Sequence, residues 1–250
     1  MKLLSFNLLE GAFHPQDRLQ RVIELVRTLD PDVCLLQECR DWSLANLKLM
    51  GRSLGMTHCH LTQSNPRSSK KRYNLGALSK KPFTGAKSHT PDTLAHGCQE
   101  LLVEGCPFRI FNIHLVARGE EDRMKEMQWF FEEEKTGILA GDLNSLSPDD
   151  PYPDDFASRL KAAEIDKYGH PPNFDVMGLL ATAGWTAPAP QGGDTSWVTR
   201  WRREVEPPIP TRTDYVLAHG PARDALKGIE VIPLENEESD HFPVVAHFDF

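Results

Sequence analysis

Apolar residues in this chain follow two rhythms. Short continuous runs that stop at turn-forming residues read as strands covered on both faces; stretches with an apolar residue every three or four positions read as helices with one buried side. Residues 2–8 make the first strand, with Asn7 near its end. Over 17–29, Leu19, Val22, Ile23, Val26 and Leu29 keep helical spacing, and Asp30-Pro31-Asp32 stops that helix because proline restricts the residue before it. Residues 33–38 form a second buried strand ending on Glu38, and a short helix follows around 42–54. Another strand spans 74–79. Residues 100–103 and 108–116 pair across a turn at Gly105-Cys106-Pro107, and alternation puts Asn112 and His114 on one face of the second. The helix over 120–133 turns Met124, Met127 and Phe131 inward.

The run Ile138-Leu139-Ala140-Gly141-Asp142-Leu143-Asn144 organises the rest. Its apolar part is a buried strand, Gly141 allows close backbone approach, and alternation points Asp142 and Asn144 the same way. The proline-rich stretch 147–153 cannot be regular structure. Val176, Leu179, Leu180 and Ala183 mark a helix, whereas 184–212 has no period and reads as a long loop. Strands return at 213–217, 228–234 and 244–250. Strands alternating with helices, then strand pairs, predict a large α/β sandwich in a single domain over 1–250. No linker, internal repeat or low-complexity segment interrupts it.

Composition narrows the partners. The 250 residues, 40% hydrophobic and 26% charged, describe an ordinary globular chain long enough for a core. A net charge of −8 supplies no global field toward nucleic acid or anionic lipid, so a polyanionic substrate needs a local metal or basic patch. Residues 64–81 carry Arg67, Lys70, Lys71, Arg72, Lys80 and Lys81 without an acid, which makes them either a solvated loop or such a patch. The cysteines are five, an odd number without metal-ligand spacing, which fits a reducing compartment. The N-terminus lacks a secretory pattern, and no apolar run nears the ~20 residues of a membrane span, so a cytoplasmic location is expected. No obligate protein partner is evident.

The chemistry lies in the strand ends. Asn7, Glu38, His114, Asp142, Asn144, Asp214 and Asp240-His241 sit in or just beyond strands with apolar cores. Singly each has an ordinary explanation: a turn, a cap, a hydrogen-bonded core histidine. Convergence of the strand ends explains them together. Asn, Asp and Glu are hard oxygen donors suited to Mg²⁺ or Mn²⁺ rather than zinc, and two histidines would stabilise a phosphoryl group's charge or transfer protons. With no glycine-rich nucleotide cradle, water attacking a phosphate ester fits best.

Phe6-Asn7, Leu36-Gln37-Glu38, Asn112-Ile113-His114-Leu115, Gly141-Asp142-Leu143-Asn144, Thr213-Asp214-Tyr215-Val216 and Ser239-Asp240-His241 occur in that order across nearly the whole chain. Together they resemble the endonuclease/exonuclease/phosphatase superfamily. The resemblance implies a DNase I-like four-layer α/β sandwich, two mainly antiparallel sheets face to face with helices outside, and a site at one edge. It implies that Glu38 is the principal metal ligand with Asn7 and Asp240 close to the ion, and that Asp142 orients or deprotonates the attacking water. Asn144 would hold the phosphate or that water, and His241, oriented by Asp214, would contact the scissile phosphate. His114 resembles a second histidine for which apurinic-site endonucleases often carry tyrosine. The chain departs from some nucleases at Leu9, where they place an acid; here Glu10 follows instead. Trp197, after Thr195-Ser196, either stacks on a base or lines a pocket, or anchors the long loop. Arg200, Arg202, Arg203 and Arg212 either neutralise phosphates or solubilise the loop, and Arg118 and Arg123 are further candidates, although in the family an arginine near Arg123 more often supports structure. Three readings result: an Mg²⁺- or Mn²⁺-dependent phosphodiesterase for nucleic acid or a nucleotide-like diester, a phosphomonoesterase or phospholipid/inositol-phosphate phosphoesterase, and a non-catalytic binding module on the same fold.

Overall fold

A computed structural model describes residues 1–67, 72–188, 209 and 211–250. In chain order it contains β1 (Lys2–Asn7), α1 (Arg18–Leu29), β2 (Val33–Arg40), α2 (Leu44–Leu54), β3 (His58–Thr62), β4 (Tyr73–Ser79), β5 (Phe83–His89), β6 (Cys98–Val103) and β7 (Ile110–His114). Then come α3 (Glu120–Phe131), β8 (Gly137–Asp142), α4 (Phe156–Ala162), α5 (Asp175–Thr182), β9 (Asp214–His219), α6 (Pro221–Ala225), β10 (Leu226–Val231) and β11 (Val244–Phe248). One six-stranded sheet runs β10-β11-β1-β2-β4-β3 and one five-stranded sheet runs β5-β6-β7-β8-β9. Each is antiparallel except for one parallel pair, β1 with β2 and β7 with β8.

The sheets pack on each other through Leu3, Val33, Leu35, Ile110, Ile138, Ala140, Val216 and Ala218. On the outer face of the first sheet, Leu4, Phe6, Cys34 and Leu36 meet Val22 and Val26 of α1 and Leu47 and Met50 of α2. On the second, Phe111, Ile113 and Leu139 meet Met127 and Phe130 of α3 and Val176 and Leu180 of α5. The result is the expected four layers. A satellite cluster of Leu146, Phe156, Leu160, Ile165, Tyr168 and Ile209 flanks them.

Side chains alternate along a strand, so the inner face of each central strand can be read directly. It runs Leu3-Ser5-Asn7 on β1, Val33-Leu35-Gln37 on β2, Ile110-Asn112-His114 on β7 and Ile138-Ala140-Asp142 on β8. The interface is thus apolar at one end and charged at the other. Amides fill the middle: Gln37 Nε2 donates to Asn112 Oδ1 at 2.8 Å, Asn112 Nδ2 to Gln99 Oε1 at 2.8 Å, and Gln99 Nε2 to Leu75 O at 3.0 Å. These buried amides donate to one another across the sheets; of their acceptors, Gln37 Oε1 alone has no partner among the described residues.

Several elements differ from the sequence reading. β3, β5 and α4 were not expected, because their apolar residues are few and their burial is partial. The inner face of α3 carries Glu120, Arg123 and Glu126 beside Met127 and Phe130, with Met124 and Phe131 only half-buried; a period search that follows apolar residues cannot see such a face. β2 continues past Glu38 through a bulge between Leu36 and Cys39, with Glu38 at φ 51°. β8 stops at Asp142, and Asn144 takes φ 50°, so its placement comes from a turn and not from strand alternation.

Gly141 is where the sheet demands glycine. Its φ is 144°, and an added Cβ would lie 1.8 Å from Ile113 O on the neighbouring strand. Gly55, which ends α2 at φ 71°, has open space around it. Gly141→Ala is therefore expected to cost at least about 3 kcal/mol, and Gly55→Ala about 1 kcal/mol. Urea unfolding of the two variants against wild type checks the order; equal losses would remove the close-approach argument.

Candidate active site

Asp142 ends β8 almost fully buried between the sheets. Its Oδ2 accepts from Asn7 Nδ2 at 3.0 Å, and its Oδ1 accepts from the Asn144 backbone N–H at 2.9 Å. Asn7 Nδ2 also reaches Glu38 Oε1 at 3.3 Å, while Asn7 Oδ1 takes the Leu9 N–H at 2.9 Å. The amide thus bridges carboxylates from different sheets and spends its oxygen on the chain; in this orientation it positions Glu38 and Asp142 and presents no oxygen between them. The bulge makes the bridge feasible. Alternation alone would turn Glu38 to the outer face, and the extra residue re-aims it toward Asn7. Glu38 Oε2 is capped by the Glu10 N–H at 2.9 Å, and the Glu10 carboxylate takes Arg40 and the Tyr73 hydroxyl.

Opposite Asp142, in register on β9, stands Asp214. Its Oδ2 pairs with His241 Nδ1 at 2.8 Å, which leaves His241 Nε2 3.8 Å from both Asp142 Oδ2 and Asp240 Oδ1. Ser239 ties this loop to β1 by donating to Asn7 O at 2.7 Å and accepting the His241 N–H at 3.1 Å. Burial opposes charge on His241, but Asp214, Asp142 and Asp240 outweigh it and push the imidazole up to about 9. That shift favours the imidazolium, whose outer nitrogen faces Asp142 and Asp240 at equal distance.

His114 Nε2 approaches Asp142 Oδ2 at 3.5 Å. The His96 ring stacks on His114 with centroids 4.5 Å apart, and burial, followed by the charge of His114, pushes His96 well below the usual histidine range. Glu126 on α3 holds both segments: its carboxylate accepts from Ala95 N and Val116 N, each at 2.8 Å. Burial pushes that carboxyl up to about 7 despite the two N–H donors.

Asn144 Nδ2 donates to Leu115 O at 2.9 Å, and its Oδ1 accepts from Lys167 Nζ at 2.8 Å. Behind it, Arg123 is fully buried. It pairs with Glu120 at 2.7 Å and donates to Ser145 Oγ at 3.0 Å, Val116 O at 3.3 Å and Lys167 O at 2.6 Å.

Oxygen donors dominate the metal-ligating inventory. Carboxylate oxygens of Asp142 and Asp214 lie within 4.8 Å of each other and of a His241 ring nitrogen. The buried Arg18 guanidinium is depressed first by burial and supported by the charges of Asp240 and Glu38. Carboxylates gathered this closely, with hard donor chemistry, fit a divalent cation.

A profile of the Endonuclease/Exonuclease/phosphatase family matches residues 4–241. The chain belongs to that family. As a member it is a hydrolytic phosphoesterase of nuclease/phosphatase type. No curated protein sequence matches it. Among solved structures, an endonuclease/exonuclease/phosphatase from Beutenbergia cavernae superposes with TM-score 0.73 at 18% identity, covering 99% of this chain and 71% of that one. An AP endonuclease from Archaeoglobus fulgidus gives 0.71 at 17%, with 100% of both chains covered. The 3′ phosphatase NExo from Neisseria, bound to product DNA hairpin, gives 0.65 at 21%, again covering 100% of both. At these identities the likeness establishes the DNase I-like fold.

Of the residues singled out in this family member, Asn7, Glu38, His114, Asp142, Asn144, Asp214, Asp240 and His241 lie together at the polar edge. Arg118 is exposed beside them, close enough to act on His96 and Glu126. Trp197 and Arg200, with Thr195, Ser196, Arg202 and Arg203, fall outside the described residues. Arg212 is taken up by a buried pair with Asp150 at 2.6 Å and stacks over Tyr215. Arg67, Arg72 and Lys80 of the basic stretch pair with Asp92, Asp41 and Asp30, so these members form a solvated, locally neutralised surface. His96 and Lys167 were missed; neither sits in a recognisable pattern, and only the folded chain places them against His114 and Asn144.

The raised values of Glu126 and His241 carry the same sign. Each contribution to stability is complete below the unfolded value and is lost as pH rises, from 4.5 to about 7 for Glu126 and from 6.5 to about 9 for His241. Urea midpoints recorded in EDTA are expected to fall across both windows. Glu126→Gln should flatten the first and His241→Gln the second; a variant that keeps its slope removes that assignment.

Proposed function

We propose that this chain, as one catalytic domain, hydrolyses a phosphodiester by metal-assisted attack of water, with nucleic acid or a nucleotide-like diester as substrate. The observation that carries the reading is the meeting of Asn7, Asp142 and the Asp214–His241 pair, supplied by both sheets, at one buried point. Asp142 orients the attacking water and takes its proton. Asn144 steadies that carboxylate through its backbone N–H and holds the phosphate or the water. Charged His241, fixed by Asp214, donates to a non-bridging phosphate oxygen as negative charge builds, and His114 supports the same group from the other sheet. Glu38 and Asp240, with Asn7 close by, would hold Mg²⁺, or Mn²⁺ in its place, which polarises the phosphoryl oxygens. Arg118 lies at the rim for a flanking phosphate, and Trp197 and Arg200, outside the described residues, are proposed as further substrate contacts on their residue types alone.

A short or small diester suits this surface better than long duplex DNA. The net charge is −8, and Arg67, Arg72 and Lys80 of the basic stretch are already paired. Among the described residues no helix is long and apolar enough to cross a membrane.

Asp142→Asn is expected to lower turnover by orders of magnitude with the circular dichroism spectrum unchanged. EDTA should abolish hydrolysis, and Mg²⁺ or Mn²⁺ should restore it. A panel of single- and double-stranded nucleic acid, nucleotide diesters, inositol phosphates and phospholipid head groups, repeated at several salt concentrations, tests the substrate, since duplex binding through many phosphates weakens steeply with salt. Preferred turnover of a phosphomonoester or a lipid head group, or chelator-resistant activity, would overturn the reading.

A further inference from the structure

One cation beside the catalytic edge belongs to no motif. The short 3-10 turn Asp166–Tyr168 brings Lys167 against Asn144, with Nζ 2.8 Å from Oδ1. That turn is anchored: Arg123 Nη2 donates to Lys167 O at 2.6 Å, and the same guanidinium holds Glu120, Ser145 and Val116. The ammonium also lies 4.7 Å over the Tyr168 ring. Lys167 further lines a cavity of about 320 Å³ with Ala117, Ile165, Tyr168, Ile209 and Thr211 and the acids Glu164 and Asp166. Apolar walls with a few polar groups, at this volume, characterise small-ligand sites; a lone phosphate would leave most of it empty and a duplex would not enter.

We propose that Lys167 is a further substrate-contacting residue, its ammonium on the phosphate beside Asn144, and that the cavity it lines receives a nucleoside-sized group carried by that phosphate. The proposal rests on the phosphoester reading of the site. Lysine binds phosphate as a compact point charge, and exchanging the neutral Asn144 oxygen for an anionic phosphate oxygen strengthens its hydrogen bond. Arg123 anchors the main chain of Lys167 through its carbonyl and so fixes where the side chain starts. The ammonium therefore connects the reacting phosphate with the group that distinguishes one diester from another.

Calorimetric titration of the Mg²⁺-loaded protein with inorganic phosphate and with a nucleoside 5′-monophosphate tests both parts, with melting curves as the check on folding. Lys167→Met is expected to weaken both probes roughly tenfold or more, and Lys167→Arg to retain most of the affinity. Lys167→Gln repeats the charge loss should the methionine variant fold poorly. Ala117→Phe, at the cavity wall, should weaken the nucleotide about tenfold and leave inorganic phosphate unchanged. Wild-type affinity for phosphate in the charge-loss variants overturns the role of Lys167. Wild-type affinity for the nucleotide in Ala117→Phe, or no nucleotide binding by wild type, overturns the cavity assignment. Hydrolysis of a nucleotide diester, followed in parallel, separates the two readings. Lys167-dependent binding without turnover of any phosphoester defeats the hydrolytic proposal and leaves the subsite standing; turnover with Lys167-independent binding does the reverse.

Discussion

The amide of Asn7, set between Glu38 and Asp142, is the join on which the polar edge depends. The buried Asp142 and the half-buried Glu38, from different sheets, would repel each other, and the cost of burying carboxylates is high unless each is hydrogen-bonded or faced by a cation. Asn7 donates to both, at 3.3 and 3.0 Å. Ser239 grips the same residue's carbonyl, so the loop bearing Asp240 and His241 is tied to the strand that sets the bridge. Positive charge completes the balance: His241 stays protonated among Asp214, Asp142 and Asp240, and Arg18 sits near Asp240 and Glu38. An acidic site is thus held ready, without collapse and without dispersal into solvent.

Its location follows from topology. In each sheet one parallel pair, β1 with β2 and β7 with β8, is joined through a helix, so both strands of a pair end at the same edge. Face-to-face packing brings the two edges together. The interface changes from Leu, Val and Ile at one end, through the Gln37–Asn112–Gln99 amides, to Asn7, His114 and Asp142 at the other. Apolar burial drives the sheets together, and the amides hold register through an interface that would otherwise be free to slide.

Much of what surrounds the edge serves positioning. The buried Arg123–Glu120 pair links α3 to Ser145, Val116 and Lys167, and Glu126 holds the segments of His96 and His114. Buried charge of this kind adds little net stability, since desolvation offsets attraction, but it specifies where loops lie. Arg212 with Asp150 plays the same part on the far side of β9.

Legibility divided along one physical line. Continuous apolar runs mark the central strands, which are covered on both faces, and a period near 3.6 marks α1, where burial of one face imposes that spacing locally. The ordered strand-end motifs then placed Asn7, Glu38, His114, Asp142, Asp214 and His241 in one family, and Gly141 beside a close backbone contact. Spacing said nothing of the bulge that turns Glu38 inward, the left-handed turn at Asn144, the polar buried face of α3, or the arrival of His96 and Lys167. Each of those depends on a partner distant in sequence: Asn7 for Glu38, His114 for His96, Asn144 for Lys167. A chain read alone records which residues want burial and which carry charge; only the packing of two sheets decides which charges must share the same few ångströms.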